Sequence, residues 1–211
     1  MGGRGEQTRD RLLDHATILF SLKGYDGVST RDISKAAGTT LPSIAHHFGS
    51  KEGLYKAVMS SIMEYMERTL PPDAPLTAAA LSTMARAEVL TQLKHTLGRH
   101  IRAMLAGRPE WGPLMAREQL QPTLQLAPLE QLFWTRLLYP VCHLLAVLRA
   151  LPADSDAVKL QALSLVGRVL NFRQARAGTL RFMGWDTVGP AQVEIIVAAL
   201  DDELSMLFGP R

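Results

Sequence analysis

Residues 28–58 read VSTRDISKAAGTTLPSIAHHFGSKEGLYKAV, and the spacing of small, polar and apolar side chains in this stretch decides the fold. Ser29 is a helix-capping residue type, and Asp32 three positions later completes a capping box with its carboxylate near the positive helix end. A short helix is therefore expected over residues 30–37, stopped by Gly38. Thr40 can cap the next helix, about Leu41–Phe48, where Pro42 falls in the first turn and removes no intrahelical hydrogen bond. Gly49 ends that helix and Ser50 caps a fourth, expected over Lys51–Thr69. Ile33 and Ala37 are spaced to face Ile44 and Phe48 across a tight glycine turn, and Ser34 is small enough for close approach. This is a helix-turn-helix pattern, although short helices joined by a glycine turn also occur in ordinary small bundles.

Outward from this stretch the helical period continues. Gln7–Lys23 carries Leu12, Ala16, Leu19 and Phe20 on one face and closes at Gly24. Residues 71–79, PPDAPLTAA, place three prolines within five positions and mark the expected domain boundary, with one domain over 6–66 and a larger one over 77–208. Beyond it, helices are expected from Thr77 or Ala85 to Ala106, over Trp111–Leu120, over Thr123–Leu151 with a kink at Pro140, over Asp154–Met183 and over Pro190–Phe208. The fold class is all-α: an N-terminal helix-turn-helix domain followed by a larger helical domain.

The chain has 211 residues, 47% of them hydrophobic, enough to bury a real core. Its net charge of +3 is too small to argue by itself for a polyanionic partner. Within residues 1–53 seven Lys and Arg face six Asp and Glu, so any nucleic-acid affinity must come from positioned contacts. The single cysteine, Cys142, excludes an intrachain disulfide framework and a cysteine-based zinc site. No apolar leader stands at the N-terminus and no window reaches the uncharged length of a membrane span, so a cytoplasmic protein without membrane contact is expected. HExxH, GxSxG, GxxxxGK and GxGxxG are all absent, and Cys142 lies in an apolar run that suits an inert thiol; no enzyme, cofactor or metal is expected.

The chemistry-bearing positions follow from the helix-turn-helix geometry. Leu41, Pro42, Ser43 and His46 lie on the outer, N-terminal part of the third helix, the part that enters a major groove. Thr30, Thr40, His47 and Lys51 lie near helix ends and can hold phosphates. Each has a plainer reading: Thr40 and Ser43 as caps, Lys51 as a solvated lysine, and His46 and His47 as surface residues. Adjacent on one helix, the two histidines are a poor metal pair.

The runs DISKAAG (residues 32–38) and HHFGSKEGLYKAV (residues 46–58) together resemble the DNA-binding domain of the TetR family of transcriptional regulators. REQLQPT (residues 117–123) and GRVLNFRQARAGTLRFMGW (residues 167–185) are similar to its CecR branch. The resemblance implies a dimeric regulator that reads a pseudo-palindromic double-stranded operator and is released, as a repressor, by a small-molecule effector. Family members usually carry Tyr where this chain has Ala45, so one backbone contact is missing or supplied by His46. They commonly carry Val or Ile where this chain has Thr39. A helical interaction protein that keeps the fold without operator binding stands as the alternative.

The resemblance also implies a ligand cavity and a dimer interface in the second domain. Candidates for the cavity wall are His100, Met104, Trp111, Met115, Phe133, Trp134, Leu137 and His143, a Met-rich aromatic set suited to an apolar or amphipathic ligand, though such stripes are equally plain core. Arg117 with Glu118, and Arg173 with Arg176, are candidates for buried ion pairs or for an acidic effector, with surface pairing as the plain reading. The dimer candidates are Ser164, Gly167 and Asn171 on the penultimate helix and Val193, Ile196, Val197, Leu200 and Leu204 on the last, with intrachain core as the other reading.

Overall fold

The computed structural model describes residues 3–70, 81 and 83–209; the expected boundary at 71–79 lies outside them. Among the described residues every regular element is helical. They are α1 (Arg4–Lys23), α2 (Thr30–Ala36), α3 (Leu41–Phe48), α4 (Lys51–Thr69), α5 (Arg86–Ala106), α6 (Trp111–Leu120), α7 (Leu126–Phe133), a π-helical turn (Trp134–Leu138), α8 (Tyr139–Arg149), α9 (Asp156–Gly167), α10 (Leu170–Arg173), α11 (Arg176–Met183) and α12 (Pro190–Phe208). The chain divides into two compact units: Met1–Tyr65 with Arg108–Leu129, and Met66–Gly107 with Glu130–Arg211.

In the first unit, α1 packs on α2, α3 and α6. Leu12, Ala16 and Phe20 of α1, Ile33 and Ala37 around α2 and Ile44 of α3 are buried as the helical period predicts, with Leu19 and Phe48 half-buried; Leu54, Val58 and Met59 of α4 are buried too. Phe20, Tyr25 and Tyr55 form an aromatic cluster with ring centroids 5.0–5.9 Å apart. The segment 108–129, expected within the larger domain, packs here instead. Arg117 donates to the carbonyls of Ser21 (3.1 Å) and Leu22 (2.7 Å), satisfying the orphan acceptors at the end of α1. Arg108 pairs with Asp14 at 2.5 Å.

In the second unit, α5 runs through the core against α8 and α12. Two helices differ from the sequence expectation. Over 126–149 the strain of Pro140 is absorbed one turn earlier. Proline offers no N–H to the carbonyl four residues back, and the helix answers with a π turn in which Tyr139 N–H bonds to the Trp134 carbonyl. This run is long and apolar enough to cross a membrane by composition alone, but Leu137, Val141, Leu144, Leu145 and Leu148 face the core of the unit. The expected helix over 154–183 is three pieces, α9, α10 and α11. The breaks follow Gly167, which costs helix stability, and bring Phe172 inward to stack on Trp185 at 5.9 Å; Thr179 Oγ1 then donates to the Asn171 carbonyl at 2.9 Å.

Candidate nucleic-acid interface

The turn between α2 and α3 is built from local chemistry. Ser29 Oγ accepts the Asp32 N–H at 3.1 Å while the Ser29 N–H donates to Asp32 Oδ2 at 3.0 Å, the capping box read from the sequence. The Ser29 hydroxyl, which donates to Asp32 Oδ2 at 2.6 Å, and then the Ser29 N–H hold the Asp32 carboxyl below its usual range. At the other end Gly38 adopts φ +58°, a left-handed conformation that turns the chain without steric penalty. Ser34 is buried and its hydroxyl donates to the Thr30 carbonyl at 2.9 Å.

Arg11 of α1 locks this turn. Its Nε and Nη2 donate to the Ala37 carbonyl at 3.1 and 2.5 Å, and Nη2 also donates to the Gly38 carbonyl at 2.9 Å. A guanidinium placed on the last carbonyls of α2 complements the negative helix end. Sequence reasoning treated Arg11 only as surface charge, because the contact spans 26 residues and no local pattern signals it. Nearby, the Thr39 N–H bonds to the Ser34 carbonyl at 2.9 Å, but the buried Thr39 hydroxyl has no partner.

On α3 only Ile44 is fully buried; Leu41, Pro42, Ala45 and His46 are exposed, and Ser43 and His47 half-buried. Thr40 stands at the cap position, yet its hydroxyl bonds to Ser43 Oγ at 3.1 Å and not to the backbone, so the first-turn N–H groups of α3 keep no side-chain cap. The His46 and His47 rings meet edge to face at 4.8 Å, and among the described residues no cluster of three metal-ligating side chains forms. Lys51, at the start of α4, stands over the Tyr25 ring at 4.2 Å, a cation–π contact that fixes the ammonium. Arg9 lies over Phe48 at 5.4 Å. The half-buried Thr30 opens α2. The Ser43 N–H bonds to the Thr40 carbonyl at 3.0 Å and Pro42 has no N–H, so what the α3 start offers is its exposed side chains; Lys51 adds a held cation at the start of α4, and groups of these kinds meet base edges and phosphates.

Behind that face lies a buried carboxylate. Glu118, 2% exposed, accepts hydrogen bonds from the Tyr55 hydroxyl, from the Thr123 N–H at 3.0 Å and from Thr123 Oγ1 at 2.9 Å. Glu118 and Arg117 thus point to different partners and form no pair. Burial, and then the Glu118 carboxylate, push the Tyr55 phenol above its usual value.

In the second unit the predicted cavity residues separate. His100 is 1% exposed and sits in the core 5.9 Å from the Phe133 ring; Leu137 is core, and Met104 and Phe133 are half-buried. Neither His100 ring nitrogen closes a hydrogen bond of normal geometry, although the Val166 carbonyl faces the ring. Burial lowers its pKa to about 4, with that carbonyl opposing. Trp111 and Met115 belong to the first unit, where the Trp111 ring meets Tyr65 at 5.0 Å. Trp134 and His143 line an open concavity of about 390 Å³ between α8 and α9. Arg173 donates to the Gly107 carbonyl at 3.0 Å and Arg176 to Thr187 Oγ1 at 3.4 Å.

The stripe read as a dimer candidate on the last helix is intrachain core: Val193, Ile196, Val197, Leu200 and Leu204 are buried in the cluster built around α5, on which α12 packs. The opposite face is apolar too, and it is exposed: Ile195, Met206 and Leu207 on α12, with Leu160 and Leu163 on α9. Ser164 and Asn171 are exposed and Gly167 half-buried, but the helix break puts Asn171 on a different element from the other two. Periodicity finds an apolar stripe; on a helix apolar on both sides it does not say which side stays in the chain.

A three-helix unit with a glycine turn and an exposed α3 start defines a helix-turn-helix DNA-binding domain. Residues 12–58 match the model of the bacterial regulatory proteins of the tetR family, and residues 90–209 match the C-terminal domain of the HTH-type transcriptional dual regulator CecR. The chain belongs to the TetR family, with a second domain of the CecR type. It is 25% identical over 198 residues to the dual regulator CecR of Shigella flexneri, covering 92% of this chain and 87% of that one. It is 34% identical over 86 residues to the probable regulator YttP of Bacillus subtilis (strain 168), a match that spans 40% of that protein. The fold is similar to the regulator AibR, solved with isovaleryl coenzyme A and operator DNA (TM-score 0.61, 20% identity, 97% and 100% coverage). It is also similar to HlyIIR, a hemolysin II transcriptional regulator (TM-score 0.58, 20% identity, 94% and 99% coverage).

Proposed function

We propose that this chain is a cytoplasmic, sequence-specific transcriptional repressor that binds a double-stranded operator as a homodimer and lets go when a small-molecule effector occupies its second unit. It is not an enzyme in this reading. The observation that carries it is α3: Ile44 anchors the helix while Leu41, Pro42 and His46 stay exposed at its start. Ser43 and His46 read bases, with His46 covering the space left by Ala45. Thr30, Thr40, His47 and Lys51 hold phosphates. The exposed apolar face of α9 and α12 pairs with its copy, which sets two α3 helices about 34 Å apart for successive major grooves. Effector release is a population shift and requires different effector affinity for the bound and free states.

Fluorescence anisotropy on the DNA upstream of the chain's own gene, against random duplex across a salt series, tests this. Specific binding about a thousandfold or more above random supports it; equal, weak, steeply salt-dependent binding to both supports the interaction-protein alternative. Lys51→Ala and His47→Ala lower affinity for all sequences, whereas Ser43→Ala changes preference. Met206→Glu or Ile195→Glu, placed on the exposed face, converts the dimer to monomer in sedimentation; a persistent dimer rejects that face.

A further inference from the structure

The concavity between α8 and α9 has an unusual wall. Cys142 from α8, Ala162 and Leu163 from α9, and Trp134 and Leu138 from the π turn make it apolar. Set into that wall are side chains without an internal role: the Lys159, His143, Tyr139 and Asp154 side chains make no hydrogen bond or ion pair among the described residues. Its volume of about 390 Å³ falls within the roughly 300–1,000 Å³ of small-molecule sites, which are mostly apolar with a few polar groups that orient the ligand. The π turn at its edge is a helix irregularity frequent at functional sites. Cys142 is held as the neutral thiol by burial, against the opposing charge of Lys159, so it serves as wall and not as nucleophile.

We propose that this concavity binds a small monoanionic aromatic or aliphatic acid, its apolar body against Trp134, Leu138, Cys142 and Ala162 and its carboxylate on Lys159. Lys159 and Ala162 stand three residues apart on α9, so the ammonium and the apolar floor share one face of that helix. His143 offers a second donor. Asp154 repels a second negative charge on the ligand, which selects monoanions over dianions. The proposal deepens the reading of the second unit as the effector unit, and it rests on that reading for its role in regulation only.

The test uses the full-length protein with benzoate, 2-naphthoate and octanoate as probes and 2-naphthylmethanol as the uncharged comparison. Affinity is read by calorimetry. Position is read by the rate at which iodoacetamide alkylates Cys142, the only cysteine in the chain. The expected results are binding of at least one acid, at least a fivefold slowing of Cys142 alkylation at saturation, and a loss on the order of tenfold in acid affinity with Lys159→Gln while the alcohol is unchanged. Asp154→Asn, a surface change that leaves the fold alone, strengthens acid binding. No binding by any of the three acids at millimolar concentration overturns the proposal, as does an unchanged alkylation rate at saturation of a thiol that reacts in the free protein, or an equal effect of Lys159→Gln on acid and alcohol. An anisotropy arm separates the two readings. An acid that protects Cys142 without changing operator affinity leaves the site standing and removes its effector role. Operator release by another compound, with none of the acids bound, leaves the effector reading and removes this site.

Discussion

Replacing Tyr55 by Phe removes a single oxygen, and the structure says what that oxygen does. The Tyr55 hydroxyl donates to Glu118, a carboxylate 2% exposed, whose other oxygen already takes both donors of Thr123. Without the phenol, one oxygen of a buried carboxylate loses its donor. Leaving a buried charge without its partner costs about 3–4 kcal/mol, above the roughly 1–3 kcal/mol of a neutral group, and roughly 1 kcal/mol returns because Phe has no hydroxyl to desolvate. The expected net loss is about 2–3 kcal/mol. For a chain of this length that lowers the midpoint of the first unit's melting transition by roughly 5–10 °C in calorimetry at pH 7. Glu118→Gln can accept from Thr123 and donate to the phenol oxygen, so a Tyr55→Phe/Glu118→Gln cycle should show a coupling of more than about 1 kcal/mol. The pH dependence gives a second handle. The phenol's folded pKa lies above its unfolded value near 10, so its contribution is fully present below pH 10 and is lost as pH rises beyond it; Tyr55→Phe removes that alkaline limb. A midpoint change under about 2 °C, or no measurable coupling, would refute the reasoning that Tyr55 and Glu118 tie α4 to the 108–123 segment.

Arg11→Gln, which keeps the stem but withdraws the guanidinium from Ala37 and Gly38, should weaken operator binding about three- to thirtyfold without changing sequence preference, as read by anisotropy; unchanged affinity rejects the role of Arg11 in setting the turn. His100, with a pKa near 4 in the folded chain against about 6.5 unfolded, contributes stability above pH 6.5 that is lost as pH falls towards 4. His100→Leu should flatten that acid limb in urea titrations between pH 4 and 7, and a limb left intact assigns it to other groups. Thr39→Val exchanges a buried hydroxyl without partner for a methyl of the same shape and should raise stability by about 1 kcal/mol, roughly 2–4 °C in the midpoint; a decrease would mean the hydroxyl is satisfied. Ala150, with φ +53° at the end of α8, should tolerate Gly with a gain of up to about 1 kcal/mol, and a loss would argue against the left-handed conformation.

Much of the DNA-facing half of this molecule is legible in the sequence because its determinants are local. A cap binds three residues away, a glycine permits its own backbone angle, and a helical face repeats within one turn. Ser29, Asp32, Gly38 and Ser50 therefore perform in the structure the roles their order implies. Apolar periodicity likewise places Leu12, Ile33 and Ile44 inside, and the last helix runs over Pro190–Phe208 as expected. What only the tertiary structure decided involves partners distant in the chain. Arg11 finds carbonyls 26 residues away, Tyr55 finds Glu118 across 63, and the segment 108–129 joins the first unit although it follows α5 in order. The same limit explains the last helix. Both its sides carry large apolar residues, and the choice of Val193, Ile196 and Leu200 for the core was made by packing against α5, which no periodicity within α12 contains.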